Sequence, residues 1–372
     1  MFKTIKNSKK SKARIGNLST EHGKIKTPIF MPPATRGYLK SLDSIDINNT
    51  NSQIVLVNTY HMLLKPGDKY IKKYGGIHSF MNYTKPILSD SGGFQIFSLQ
   101  KMVKITEDGA LFKSPIDGTE YFITPEKSIQ IQHNLGVDIV MAFDECMSDS
   151  YTKEQAIIST QRTYRWLDRC IKEHKKLNKK NNTKKLFFGI VQGGLFKDLR
   201  IEGLKIVASL DVDGIAIGGE TIGFNMKKTK EILDYLYPYF PKNKPIYTMG
   251  VGGCPQDMID VSIRGVDMFD CVAPARIARH GSLFVGKLNT KTFEINSKYK
   301  DNKLRISNKE FINDKKPIEK NCTCFVCKNY SRAYLRHLFM SKDPLYSRLA
   351  TFHNISYCQQ ILNELKEKIK NE

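Results

Sequence analysis

Three thiols and one imidazole are spaced in this 372-residue chain as ligands of a metal: Cys322-x-Cys324-x-x-Cys327 is followed, after 25 intervening residues, by His353. Three thiolates and an imidazole complete a tetrahedral zinc shell, and four protein ligands leave no position for water or substrate. One structural Zn²⁺ per chain is therefore expected, fastening two distant stretches of sequence together. A second set of residues is made of carboxylates, amides and glycines. It comprises Asp90-Ser91-Gly92-Gly93-Phe94-Gln95, Asp144-Glu145-Cys146, Gln192-Gly193-Gly194, Gly218-Gly219-Glu220, Gly250-Val251-Gly252-Gly253 and Asp270-Cys271. Carboxylates gathered on one face can move protons or act as nucleophiles. A single Asp after an apolar run is usually a turn or helix cap. Six such segments, each placed just after an apolar run, need a common cause.

That cause is supplied by the elements that must position them. Short apolar or β-branched runs recur at Pro28 to Met31, Gln53 to Val57, Pro86 to Leu88, Val137 to Phe143, Leu186 to Val191, Gly214 to Ile217, Pro245 to Met249 and Val266 to Phe269. Between them lie helix patterns such as Thr124 to His133, Thr152 to His174, Leu195 to Ser209 and Met226 to Tyr239. Eight β-α units predict an α/β fold, the (β/α)8 TIM barrel, in which functional groups follow the C-terminal ends of the strands. The polar segments all occupy that rim. The predicted organisation is a catalytic barrel over residues 1–290, a zinc-binding subdomain inserted after the eighth strand over 291–345, and a C-terminal helix over 346–372 that supplies the zinc histidine. Tyr330 to Leu338 reads as a helix pinned by the metal, with Tyr330, Tyr334 and Leu338 on one side.

Lys and Arg exceed Asp and Glu by 59 to 37, a net charge of +22 that favours a polyanionic partner, nucleic acid first. Met1 to Ile15 is basic and polar, and no window reaches the roughly 18 apolar residues of a membrane helix. The eight cysteines are not spread as a disulfide framework. A cytoplasmic protein with reduced thiols and no membrane segment is expected. The lysine-rich stretch Lys172 to Lys185 reads as a solvated helix end and loop, with no site.

The segments Asn58-Thr59-Tyr60-His61, Asp90 to Gln95, Ala142 to Cys146, Met249 to Gly252, Asp267 to Val272 and the cysteine motif with Tyr330-Ser331-Arg332-Ala333-Tyr334 appear in this order along nearly the whole chain. Together they resemble the bacterial tRNA-guanine transglycosylases. The resemblance implies exchange of the wobble guanine of GUN-anticodon tRNAs for a 7-deazaguanine, the prequeuosine base, in queuosine biosynthesis. It implies Asp270 as the nucleophile that forms a covalent ribosyl intermediate, and Asp90 as the group that gives and takes the proton of the purine. Asp144 would accept from the N1–H and N2–H donors of the base. Gln192 and the backbone of Gly219 would donate to it, and Cys146, Gly218 and Glu220 would complete the pocket. Met249 and Phe94 would sandwich the ring. Arg276 and Arg279 would contact bases flanking the exchanged one in the anticodon loop. A homodimer is implied, with Tyr330 and Tyr334 near the interface.

Two departures stand out. Bacterial relatives read Pro-Thr-Arg-Asn-Ala-Arg where this chain has Pro274-Ala275-Arg276-Ile277-Ala278-Arg279. They also read Gly-Gly-Leu-Ala-Val-Gly-Glu where this chain has Gly218-Gly219-Glu220-Thr221-Ile222-Gly223-Phe224. The family's final Glu supports a carbonyl that receives an aminomethyl group. With Phe224 there, either Glu220 takes the ammonium directly or the pocket is reshaped for salvaged queuine. A non-catalytic, zinc-containing tRNA-binding subunit is the reading of another class. The joint presence of Asp90, Asp144 and Asp270 argues against it.

Overall fold

The computed structural model describes residues 1–98 and 103–372, and only the backbone of Phe97 and Ser98. Its first strands, β1 (Phe2–Asn7), β2 (Arg14–Thr20) and β3 (Gly23–Thr27), form an antiparallel sheet that the sequence reading of this basic stretch missed. Phe2, Ile15, Leu18 and Ile25 are buried under it, while Lys3, Lys24 and Lys26 face solvent. So few apolar residues, set among Lys and Thr, hide the two-residue alternation of a strand. Arg14 fastens the sheet to the barrel through a two-pronged bond to Asp267, with Nε–Oδ1 3.0 Å and Nη2–Oδ2 2.7 Å.

The barrel begins with β4 (Ile29–Met31), β5 (Val55–Val57) and β6 (Ile87–Ser89). A small antiparallel sheet of β7 (Val103–Ile105), β8 (Ala110–Lys113) and β9 (Glu120–Ile123) follows β6 and was not foreseen. The barrel resumes with β10 (Ile139–Met141), β11 (Leu186–Val191), β12 (Gly214–Ile217), β13 (Ile246–Thr248) and β14 (Met268–Asp270). These eight strands are parallel, in the order β4-β14-β13-β12-β11-β10-β6-β5. The seam between β4 and β5 closes through Ala34 N to Leu56 O (2.6 Å) and Leu56 N to Pro32 O (3.1 Å). The predicted barrel is present, and each strand lies on its expected run. β4, β5, β10 and β13 are shorter than their runs, β11 and β12 match theirs, and β6 and β14 start later but end one residue further on, at Ser89 and Asp270.

Helices depart from expectation at their ends. Helix Lys153–Asn181 runs seven residues past His174, into the lysine-rich stretch, and stops where Asn182 turns left-handed at φ 50°. Lysine propagates a helix well, and asparagine tolerates the cap. Helix Met226–Leu236 ends before Pro238, which sits in a 3-10 turn, Tyr237–Tyr239. The predicted helix at Tyr330 begins instead at Arg332 and runs to Met340, because the Ser331 side chain caps it by accepting from Tyr334 N.

After β14 the chain forms two strand pairs, β15 (Ser282–Phe284) with β18 (Lys303–Arg305) and β16 (Lys287–Asn289) with β17 (Glu294–Asn296). The short helix Phe325–Asn329 and the long helix Pro344–Lys370 follow. The long helix is buried along Leu349, Ile355 and Leu362, and its Gln359 donates to Phe30 O at 2.9 Å, so it is packed against β4. Among the described residues no helix is long and apolar enough to cross a membrane.

Candidate active site

The rim is built where the polypeptide leaves the strands. Asp90 follows β6 and is held by its neighbours: Oδ1 accepts from Thr59 N (3.0 Å) and Gly92 N (3.2 Å), and Oδ2 accepts from the Asn58 side-chain amide. Asn58 is fixed in turn, because its Oδ1 caps helix Thr59–Leu64 by accepting from His61 N. Burial, reinforced by the charge of Asp270, pushes the Asp90 carboxyl up to about 7, against the opposing pull of these donors. A group with that pKa exchanges protons in both directions at neutral pH.

Asp270 is the last residue of β14. Its Oδ1 accepts from Tyr247 Oη (2.6 Å) and Gly250 N (3.3 Å), while Oδ2 takes no hydrogen bond among the described residues. Burial raises this carboxyl above the ordinary range, with the Tyr247 hydroxyl pulling the other way. One oxygen is anchored and the other is left for chemistry.

Asp144 lies after β10 and is fully enclosed. It accepts from Ser91 Oγ at 3.0 Å and Gln192 Nε2 at 2.7 Å, and burial pushes it up to about 6. Gln192 therefore spends one amide hydrogen on Asp144, leaving the second for a ligand. Gly218 and Gly219 allow this crowding. A Cβ on Gly218 would stand 2.8 Å from Gln192 Nε2, and one on Gly219, which is at φ +125°, would stand 2.6 Å from Arg200 Nη2. Cys146 is buried beside them, and burial, then Asp144, raises its thiol far above its ordinary value, so it is a wall and not a nucleophile.

Glu220 does not stand free. Its Oε2 accepts from Ser148 Oγ (3.0 Å) and Asp149 N (2.7 Å), which ties the loop after β12 to the loop after β10. Phe224 is 79% exposed and cannot support a carbonyl inside the pocket as a carboxylate would. Met249 is half-buried after β13, and Phe94, 41% exposed, begins the helix after β6, so both predicted wall residues are on the rim. Arg276 is exposed and Arg279 half-buried on helix Ala273–Arg279, just past Asp270, and Arg279 Nη1 donates to Ala275 O (2.8 Å).

Four supporting residues escaped the sequence reading. Asn58 and Ser91 lie in motifs that gave them no role of their own, and Tyr247 is hidden inside an apolar run. Arg200 falls inside the predicted helix Leu195 to Ser209, where nothing in the sequence marks it out. It is fully buried, with Nε donating to Gly194 O (2.6 Å) and Nη1 to Gly218 O (3.0 Å), so it sets the backbone of two rim loops.

The cysteine cluster is also assembled. The Sγ atoms of Cys322, Cys324 and Cys327 lie 3.8, 3.6 and 3.3 Å from His353 Nδ1. Ligands about 2.0 to 2.3 Å from a tetrahedral ion stand about 3.5 Å apart. His353 Nε2 donates to Phe284 O at 2.8 Å, which leaves Nδ1 as the ligand. The four residues can hold a metal ion, and neither metal-capable group among the described residues includes a rim carboxylate.

A family model described as TGT: Queuine tRNA-ribosyltransferase matches residues 8–372. The chain belongs to this family. A queuine tRNA-ribosyltransferase of Clostridium perfringens (strain 13 / Type A) is 45% identical over 365 residues, covering 97% of this chain and 92% of the relative. Enzymes of the same name from Halothermothrix orenii and Caldanaerobacter subterraneus subsp. tengcongensis are each 44% identical. They cover 97% and 100% of this chain, and 91% and 94% of their own lengths. Family membership thus spans the barrel rim and the cysteine site together, and Zn²⁺ is the ion that the thiolate-imidazole shell suits.

Proposed function

We infer that this chain is a tRNA-guanine transglycosylase, a pentosyltransferase that replaces the wobble guanine of GUN-anticodon tRNAs by the prequeuosine base. The observation that carries the reading is the carboxylate pair on one rim: Asp270 with one unbonded oxygen, and Asp90 poised near neutrality. Asp270 Oδ2 attacks ribose C1′, and the bond to guanine breaks as Asp90 gives its proton to the departing base. Asp90, now a carboxylate, takes the N9 proton of the incoming base, whose nitrogen displaces Asp270 from C1′. Asp144 accepts the N1–H and N2–H donors, and the second Gln192 hydrogen and the Gly219 N–H face O6. Met249 and Phe94 stack on the ring. The target nucleotide is turned out of the anticodon loop to reach this enclosed pocket, and Arg276 and Arg279 hold its neighbours. A homodimer in the cytoplasm, with the Tyr330–Tyr334 stack (5.5 Å between centroids) near the interface, fits the same family reading.

Asn58→Ser tests the proton role. Serine keeps the helix cap but loses the amide that holds Asp90 down, so the Asp90 pKa rises. The limb of the kcat/KM profile governed by Asp90 is expected to move to higher pH, by less than about one unit because the Thr59 and Gly92 donors remain. A profile unchanged in position removes Asp90 from the rate.

Incoming-base choice is the second reading with an observation behind it, since Glu220 and exposed Phe224 replace the family's Leu and Glu. One oxygen of Glu220 is bound to the 148–149 loop, and the other can meet an ammonium. Labelled prequeuosine base and queuine are offered separately to tRNA and the protein, before and after Glu220→Leu. Loss of a charged hydrogen bond predicts a roughly tenfold or greater fall in kcat/KM for the aminomethyl base, with guanine exchange retained. Equal values for both proteins, and no use of queuine, would refute altered specificity.

A further inference from the structure

At the opposite mouth of the barrel, a second group of ligating side chains plays no part in base exchange. Asp138 immediately precedes β10, His22 lies in the turn between β2 and β3, and His78 is in helix Ile77–Met81. His22 Nδ1 is 2.9 Å from Asp138 Oδ1, and His78 Nε2 is 3.2 Å from Oδ2. The two imidazoles stack with centroids 3.6 Å apart and planes 14° apart, so both edges meet one carboxylate. Their ligand atoms all lie within 4.8 Å of one another.

The carboxylate is preset by the backbone, since Oδ1 accepts from His22 N and Oδ2 from Ile87 N, each at 2.9 Å. His78 Nε2 is buried and has no hydrogen-bond partner among the described residues, despite its closeness to Oδ2. Without an ion, His22 is held to the carboxylate by an ordinary hydrogen bond, while the buried His78 Nε2 is left without one. The near-parallel rings run their in-plane nitrogen lone pairs side by side, so both nitrogens reach one ion after a turn of the more exposed His22 ring. Ligands about 2.1 Å from a common ion are separated by about 3.0 Å at octahedral angles and about 3.4 Å at tetrahedral ones. Each imidazole nitrogen stands at a comparable distance from its own oxygen of the carboxylate, 2.9 Å to Oδ1 and 3.2 Å to Oδ2. The neighbouring Lys185 ammonium is already engaged by Val137 O at 2.8 Å and by Glu21. The His22 side chain is 37% exposed, which gives an ion a path from solvent and leaves positions for water.

We propose that His22, His78 and Asp138 form a second metal site, for a divalent first-row transition cation, that clamps the N-terminal sheet and helix Ile77–Met81 to the start of β10. Two imidazoles and a carboxylate select Zn²⁺, Co²⁺, Ni²⁺ or Fe²⁺ over Mg²⁺ or Ca²⁺, which take oxygen ligands. This mouth of a barrel serves stability and not catalysis.

The zinc-loaded protein is titrated with Co²⁺ and followed by visible absorption, calorimetry and thermal melting. One further ion per chain is expected, with d–d bands lacking thiolate charge transfer, and a melting temperature that rises with Co²⁺. His22→Ala and His78→Gln should each lose the second ion and the metal-dependent rise while keeping base exchange. The proposal is overturned if Co²⁺ produces only thiolate bands, if His22→Ala binds Co²⁺ as the parent does, or if both variants merely melt lower with no ion bound by the parent.

Discussion

Asp270→Asn is expected to bind tRNA as the parent does, to form no covalent RNA complex, and to lose base exchange by a factor on the order of 10⁴ to 10⁶, the range found when a residue forming the covalent intermediate is removed. The geometry makes this substitution clean. The asparagine oxygen can take the place of Oδ1 and still accept from Tyr247 Oη and Gly250 N, so the end of β14 keeps its bonds. The amide nitrogen then stands where Oδ2 stood, without the electron pair that attacks C1′. RNA affinity rests largely on phosphate contacts and the +22 charge, which the substitution raises by only one unit. Trapping is read by denaturing electrophoresis of protein with tRNA, and affinity by filter binding at fixed salt. Base exchange at the parent rate would refute the nucleophile assignment, whereas absence of base exchange in the parent itself would return the chain to the reading as a non-catalytic tRNA-binding subunit. Loss of RNA binding together with activity would point to misfolding, which the melting temperature of the variant reports.

The parts of the molecule that the sequence made legible share one property, local patterning. Leu186–Val191 and Gly214–Ile217 are apolar runs closed by Gln192-Gly193 and by Gly218, and both appear as strands with the expected ends. The rim carboxylates were readable because a barrel places its chemistry after each strand, so a strand assignment is also a site assignment. What the sequence concealed depends on contacts between distant residues. Arg200 carries the pattern of an exposed helical arginine, and only the fold turns it inward to Gly194 O and Gly218 O. Tyr247 looks like a strand aromatic until β13 and β14 pair and bring its hydroxyl to Asp270. The sheet of β1, β2 and β3 sets few apolar residues among lysines and threonines, and the strands β7, β8 and β9 are only three or four residues each, too short to stand out as runs. Glu220 shows the reverse case. Its type suggested a free anion, whereas one of its oxygens is already committed to Ser148 and Asp149.

Chelation of the cysteine-bound metal is expected to unfold the segment carrying Cys322, Cys324 and Cys327 before the barrel, with activity lost afterwards and recovered on adding Zn²⁺. Three thiols and an imidazole are crowded within 4.8 Å, and His353 is wholly buried in the middle of helix Pro344–Lys370. Without the ion, thiolates that close repel one another, and the binding free energy, about 10 to 16 kcal/mol in small zinc modules, is withdrawn from folding. The eight barrel strands are paired with one another and not with the cysteine segment, so their ladder does not share that dependence although the two regions share one apolar core. The long helix is held by Gln359 to Phe30 O, Arg348 to Asp46, Tyr346 to Ala278 O and Tyr357 to Gly286 O as well as by the metal through His353, so chelation removes one of several anchors. Its displacement would carry Asn354 away from Pro274 O and Ser282 O, to which it donates at 3.0 and 3.1 Å. Pro274 lies in the helix of Arg276 and Arg279, and so the metal's effect reaches the surface proposed to hold the anticodon loop. Limited proteolysis should therefore cut first between residues 315 and 330 in the chelated protein, and KM for tRNA should rise before the far-ultraviolet signal of the barrel falls. Cys324→Ser should behave as the chelated protein does at any zinc concentration. Full base exchange by a protein shown to contain no metal would sink this account, and a rate that fell while the lobe stayed intact would assign the ion to the chemistry that the rim carboxylates are here given alone.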